Sequence, residues 1–423
     1  APEPPAPAQP VAEPEPPPPP PVAPEPAPAP SAAKEAIKEA LKEIIEEEAE
    51  DGEPAVRFIW GGYVKFDAVF NSTGRLNGDS EFVGAADLGD FFLVPSLVPI
   101  GERSDGDGGG LNLNARETRF WLKTEVATPY GPLTTYIEAD FYGFNASLGD
   151  ERLTNGSTLR LRHAFGQLGP LMAGQFWSTF MDLKALPEKI DFGSPAGRIF
   201  TRAAMIRYTH KMGNGTLDVS LENPETTLTA DIGSRVTRDD DLVPDVVVRY
   251  SYDTDKMHLA VGALGRLIRA DEAAAPDLSD SQLGLAGRLS GKITTFGKDN
   301  WRFAFIAGQG LGRYITLNAY NAGYIGDDGG IELIPVIGGH TSYQRWWTDT
   351  IRSNLILSYS AAFNEEDRVE TVNKNLTTVH FNTAWNPVPR TRFALELIYA
   401  RRELESGDSG ELLRAQGSVR YTF

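Results

Sequence analysis

From Arg57 to Phe423 the sequence alternates apolar and polar residues, segment after segment. A period of two means a pleated sheet with two unlike faces. In 58–70 (FIWGGYVKFDAVF), Phe58, Trp60, Gly62, Val64, Phe66, Ala68 and Phe70 share one face, and Tyr63, Lys65 and Asp67 share the other. The last segment, 411–423, sets Leu413, Ala415, Gly417, Val419, Tyr421 and Phe423 against Arg414, Gln416, Ser418, Arg420 and Thr422. Similar runs lie near 117–127, 132–143, 158–168, 171–178, 201–210, 215–223, 244–252, 256–268, 282–295, 301–312, 335–347, 350–363, 375–386 and 391–403. The pattern predicts sixteen strands, and an even number suits a closed antiparallel barrel that satisfies all its own backbone groups.

Alternation also occurs in soluble sheets, so other features must decide. Trp60, Trp301, Trp385 and Tyr399 lie on the apolar face near strand ends, as interfacial aromatics do. Connections alternate in length: Pro129-Tyr130-Gly131 and Gly169-Pro170 are tight, whereas 72–112, 179–200, 224–243 and 364–374 are long and polar. The chain closes on an aromatic strand residue, Phe423. A β-propeller would repeat every 40–50 residues or so, and no such repeat is present. The expected fold is all-β, a 16-stranded antiparallel transmembrane β-barrel over 54–423, carrying an N-terminal Pro-rich tether and a short coiled-coil helix.

Composition separates the first 53 residues from the rest. Sixteen of the 30 prolines fall in 1–30, a stretch of only Ala, Pro, Glu, Val and Gln. Proline removes donors and fixes φ, so this stretch reads as an extended tether. Residues 31–53 begin SAAKEAIKEALKEII, with Ser31 as N-cap and a stripe that includes Ile37, Leu41 and Ile44. A helix this short is marginal alone, so the stripe is expected to self-associate as a coiled coil. Residues 1–53 hold 3 Lys and 13 acids, so the rest carries −8 of the total −18. The start Ala1-Pro2-Glu3 reads as a processed N-terminus.

Composition also excludes several functions. The absence of Cys removes thiol catalysis and zinc-thiolate sites. An acidic pI of about 4.8 argues against nucleic acid as a partner. None of His163, His210, His258, His340 and His380 has metal-ligand spacing, so no metal or cofactor is expected. His163 falls on the outward face with no Ser partner, and no enzyme is read. Asp105-Gly106-Asp107 begins like a calcium loop, but Arg116 stands where an EF-hand needs Glu.

The stretches 119–143 (RFWLKTEVATPYGPLTTYIEADFYG), 160–182 (RLRHAFGQLGPLMAGQFWSTFMD), 190–200 (IDFGSPAGRIF) and Ile206-Arg207-Tyr208-Thr209 resemble the DcaP-like family of outer-membrane porins. Order and spacing match across 119–209, and beyond that only the strand rhythm does. The resemblance implies a homotrimer of 16-stranded barrels with a periplasmic N-terminal segment, and passage of small anions, notably dicarboxylates. Two departures stand out: residues 1–30 are richer in proline, and TRAAM (201–205) has Ala203 where the family's Gln is expected.

With the apolar face in lipid and lipopolysaccharide, the opposite face lines the lumen. It carries Arg119, Lys123, Arg160, Arg162, Arg207, Arg249, Arg266, Arg288, Lys292, Arg302, Arg352, Arg392, Arg402, Arg414 and Arg420. Fewer acids join them: Asp67, Glu125, Glu138, Asp140, Asp218, Glu222 and Glu396. Arginine stays charged and its fork matches a carboxylate, so such a wall is expected to favour anions. Each of these Arg alternatively pairs with a lumen acid and only stiffens the wall. The expected constriction centres on Arg160 and Arg162, with Arg119 and Arg207 near. The loop 183–199 is a candidate constriction loop bringing Lys184, Lys189 and Arg198. The expected function is an outer-membrane diffusion porin for small hydrophilic anions such as dicarboxylates. The alternative is a structural link in which residues 1–30 reach peptidoglycan.

Overall fold

The computed structural model describes residues 55–73, 92–101, 108–143, 156–230, 235–238, 241–270, 280–326, 330–365 and 370–423. The expected tether and helix, including Ile37, Leu41 and Ile44, lie outside the described residues. The strands are β1 (Arg57–Thr73), β2 (Gly108–Asn114), β3 (Arg119–Val126), β4 (Leu133–Gly143), β5 (Thr158–Leu168), β6 (Leu171–Trp177), β7 (Arg202–Met212) and β8 (Gly215–Glu222). They continue as β9 (Thr226–Thr229), β10 (Arg235–Arg238), β11 (Asp245–Asp253), β12 (Met257–Ala270), β13 (Asp280–Thr294), β14 (Asn300–Gln309), β15 (Gly323–Ile325) and β16 (Ile331–Leu333). The last are β17 (Pro335–Trp346), β18 (Ile351–Ala362), β19 (Asn373–Trp385), β20 (Thr391–Leu404) and β21 (Ser409–Thr422).

Seventeen of these segments form one sheet. β2 and β3 both pair with β1, through Phe70↔Leu111 and Trp60↔Leu122, so they are two halves of one strand interrupted at 115–118. β1 also pairs antiparallel with β21, which closes the ring. The result is a closed, 16-stranded, all-antiparallel barrel, and each of the sixteen sequence segments became one of its strands.

Alternation sets the two faces. Trp60, Val64, Phe66 and Phe70 point outward and stay 43–48% exposed, while Lys65 and Asp67 between them are buried inside. All strands are joined at one end by short connections, such as 169–170 and 213–214, and at the other mainly by long ones. Gly213, with φ of 59°, supplies the left-handed residue that the tight β7–β8 turn requires. Outward aromatics gather at the short-turn end: Trp60 lies 5.8 Å from Phe423, and Trp385 lies 5.7 Å from Phe393.

Near the long-loop end the inward face is apolar rather than polar. Val247, Leu264, Ile306, Val336 and Leu376 point inward and pack against Phe180, Met181, Ile199, Tyr314 and Ile315. These partners come from two connections, 178–201 and 310–322, that enter the barrel. A second small sheet of β10-β9-β15-β16 forms from the long connections and packs around Leu228, Ile268 and Ile331.

Candidate functional site

The wall of β3, β4 and β5 carries the densest charge. Arg160 donates from Nε and Nη2 to the two oxygens of Asp140, at 2.9 and 2.7 Å. Arg162 donates to Glu138 at 2.6 Å and to Asp140 at 2.8 Å. Arg119 lies 3.5 Å from Glu138. Each of these three arginines thus has a buried carboxylate beside it, and with only two carboxylates the cluster keeps one positive charge. The register shifts by one residue here, between Glu138 and Ala139. A bulge places consecutive residues on one face, so His163 is buried inside, beside Phe176 at 4.7 Å. This corrects the outward placement of His163 expected from simple alternation.

Connection 178–201 runs inside the barrel and is tied along the wall opposite. Glu222 accepts from the Thr179 amide at 2.7 Å, and Glu396 accepts from the Ile190 and Asp191 amides at 3.0 and 2.7 Å. Glu188 takes both Nε and Nη2 of Arg352, at 2.6 and 2.5 Å. Arg392 also reaches Glu188, at 3.3 Å. Asp182 meets His258 at 3.0 Å and Arg288 at 3.5 Å, and Asp191 meets Arg414 at 3.2 Å. Gly197 (φ 73°) sits so close to the wall that a Cβ there would lie 2.1 Å from the Tyr359 carbonyl. The opposing residues, Gly338 and Gly339, are also bare of side chains.

The three basic residues expected in this loop go to different places. Lys184 is exposed and bonds to Asp253 at 2.7 Å. Lys189 and Arg198 are turned into the loop itself. Lys189 bonds to the carbonyls of Asp191 and Phe192, and Arg198 donates to those of Phe192 and Gly193. Burial, and next the neighbouring Arg198, pushes Lys189 down to about 7. Burial works to raise Asp191, but Lys189 and Arg414 beside it hold it well below the usual carboxylate range.

Of the other expected lumen residues, Lys123 pairs with Glu125, and Arg249 bonds Asp218 at 2.7 Å. Arg266 lies 3.1 Å from Asp245. Arg207 is different: it meets the Met172 sulfur at 3.3 Å and the Phe176 ring at 5.4 Å, with no carboxylate at ion-pair distance among the described residues. Arg202 was not legible in the sequence. It has outward parity, but it is the first residue of its strand and its guanidinium folds back over Trp177, 5.0 Å from the ring. Its Nη1 is buried without a hydrogen-bond partner.

Arg202 lines a cavity of about 440 Å³ on the long-loop side, together with Arg160, Arg235, Trp177, Phe192 and Phe200. Leu317 also enters it, from three consecutive residues with positive φ, Thr316, Leu317 and Asn318. Left-handed φ at β-branched Thr316 is strained. The Thr316 hydroxyl is held there by the Gly197 amide at 2.9 Å, so the two inward connections brace each other. Among the described residues no group of three His, Cys, Asp or Glu could hold a metal.

A family model described as "DcaP outer membrane protein" matches residues 96–423. The chain belongs to this family. As a DcaP-family protein it is an outer-membrane β-barrel channel. Among solved structures, the outer membrane channel DcaP of Acinetobacter baumannii aligns with a TM-score of 0.72 at 20% identity, over 87% of this chain and 97% of that one. OmpT of Vibrio cholerae aligns at 0.53 and 8%, over 87% and 98%. The anion-selective porin from Comamonas acidovorans aligns at 0.52 and 12%, over 87% and 100%. At these identities each likeness concerns the fold alone. No curated protein matches the sequence.

Proposed function

We propose that this DcaP-family channel passes small hydrophilic solutes by diffusion with a preference for anions, dicarboxylates included. One observation carries the reading. The inward acids are engaged, as partners of Arg and Lys or, for Glu222 and Glu396, as acceptors of loop amides. Several inward cations are not: Arg202, Arg207, Lys292, Arg302 and Arg420 have no carboxylate at ion-pair distance among the described residues. The uncompensated fixed charge of the lumen is thus positive, although the whole chain is acidic. Positive fixed charge in a narrow, partly desolvated passage favours anions. The constriction is assigned to Arg202, Arg207 and the carboxylate-paired wall of Arg119, Arg160 and Arg162. Liposome swelling tests the reading: a small dicarboxylate should enter faster than a dibasic amine of equal size. The reverse order would contradict it.

The assembly is proposed to be a trimer embedded in lipid and lipopolysaccharide, with the N-terminus and the short turns in the periplasm. The composition of 1–30 supports a second role, in which the Ala/Pro arm reaches peptidoglycan. Cell-wall pull-down of full-length protein against a variant lacking 1–50 tests it. Equal recovery would remove that role.

A further inference from the structure

The short-turn mouth holds a second cavity, of about 610 Å³. Lys292, Lys298, Arg302 and Arg352 line it against one carboxylate, Glu188. That carboxylate is already consumed, because Arg352 takes both of its oxygens and Arg392 shares one. Lys298 is compensated by Asp349 at 2.7 Å. Lys292 and Arg302 are not compensated. They stand directly opposite each other on β13 and β14, and both belong to the inward face. Like charges placed directly opposite on neighbouring strands repel and destabilise the sheet. Arg302 spends Nε on the Asn300 side chain (2.8 Å) and Nη1 on the Leu186 carbonyl (2.6 Å), which leaves Nη2 unengaged. Lys292 has no hydrogen bond or ion pair among the described residues. A cross-strand pair of cations with free donors and no counter-charge, facing a cavity, is complementary to an anion that bridges them.

We propose that this mouth is a binding site for a compact, multiply charged oxyanion of the phosphate class, centred on Lys292 and Arg302. The lining sets the class. Thr294, Asn300, Gln344 and Asn386 are polar, and the single aromatic, Trp346, already has Arg352 at 4.9 Å and Lys298 at 5.2 Å from its ring. The lining is more polar than apolar, unlike the aromatic cavity around Arg202, and so suits a polar ion better than an organic body. A multivalent oxyanion accepts from both cations at once, which a single carboxylate does less well. The site goes beyond anion preference, since a channel can favour anions without retaining one.

The test is calorimetric titration of the full-length protein, in detergent micelles at fixed ionic strength, with inorganic pyrophosphate. Saturable binding is expected. Lys292→Gln, which removes no contact of the fold, should weaken it at least tenfold, and Arg302→Gln likewise. Arg202→Gln, in the other cavity, should leave it unchanged. No saturable binding by the wild type, equal binding by Lys292→Gln, or a loss in Arg202→Gln as large as in Lys292→Gln would each overturn the site. A channel that prefers anions in a bilayer yet binds no pyrophosphate overturns this site and leaves the channel reading standing. Cation preference together with Lys292-dependent binding does the reverse.

Discussion

Single residues divide the lumen charges into two kinds, and the kinds predict different phenotypes. Arg162 is nearly fully buried and serves two carboxylates. Arg162→Ala removes the buried link between Glu138 and Asp140, a loss of about 3–5 kcal/mol for a broken buried pair, and leaves Glu138 with Arg119 and Asp140 with Arg160. The folded barrel should unfold at lower temperature on heated gels, and its anion preference should fall because the cluster loses its one surplus positive charge. Arg202 bonds to no carboxylate, so Arg202→Gln should keep the unfolding temperature while lowering the anion-to-cation permeability ratio. A charge at contact distance is worth about 1 kcal/mol, or roughly fivefold, even in water-like surroundings, and more in a partly desolvated passage. Selectivity unchanged in Arg202→Gln would remove it from the constriction. Lys189 adds a pH signature. Its pKa is pushed down to about 7 in the fold, from an ordinary value of 10.5. Between these values the unfolded chain binds the extra proton, so the contribution of Lys189 to stability is lowest below 7 and rises with pH towards 10.5. Asp191, Glu396 and Glu117 surround it and stay ionised across that window, whereas burial also pushes Arg198 down, to about 9, in wild type and variant alike. The stability difference between wild type and Lys189→Met should therefore grow with pH in wild type's favour. A pH-independent difference would contradict the assignment.

At the scale of elements, the strands were legible and the loops were not. Period-two alternation is a local property, and it marked all sixteen strands because one face meets an apolar surround and the other does not. Three things lie outside that logic. A bulge at Arg162 turned His163 inward, and no residue type announces a bulge of this kind. A strand-end residue, Arg202, escaped its parity because its backbone is no longer held in the ladder on both sides. The inward apolar residues Val247, Leu264 and Leu376 look like errors of alternation until the entering connections that cover them are known. Those connections are held by non-local contacts that sequence spacing does not encode, of which Gly197 is the tightest. Gly197→Ala would force a Cβ to within 2.1 Å of the Tyr359 carbonyl at a φ of 73°. Strain of about 1–3 kcal/mol is expected. It should lift connection 178–201 from the wall, lowering the unfolding temperature and making single-channel conductance larger and noisier. If neither changes, the loop is not held by this contact.

For the whole molecule, the sign of the charge that matters is local rather than global. The chain is acidic at −18, yet the described lumen binds its acids into struts and loop anchors and leaves Arg202, Arg207, Lys292, Arg302 and Arg420 uncompensated. Surface acids farther than about a Debye length from the passage are screened, roughly 8 Å at physiological salt, so they weigh little on a permeating ion. The most direct test is the reversal potential of the full-length channel in a planar bilayer under a potassium chloride gradient. The lumen charge predicts a potential of the sign that chloride carries. A potential of the potassium sign would mean that the paired acids dominate the passage, and it would contradict the anion-preferring channel.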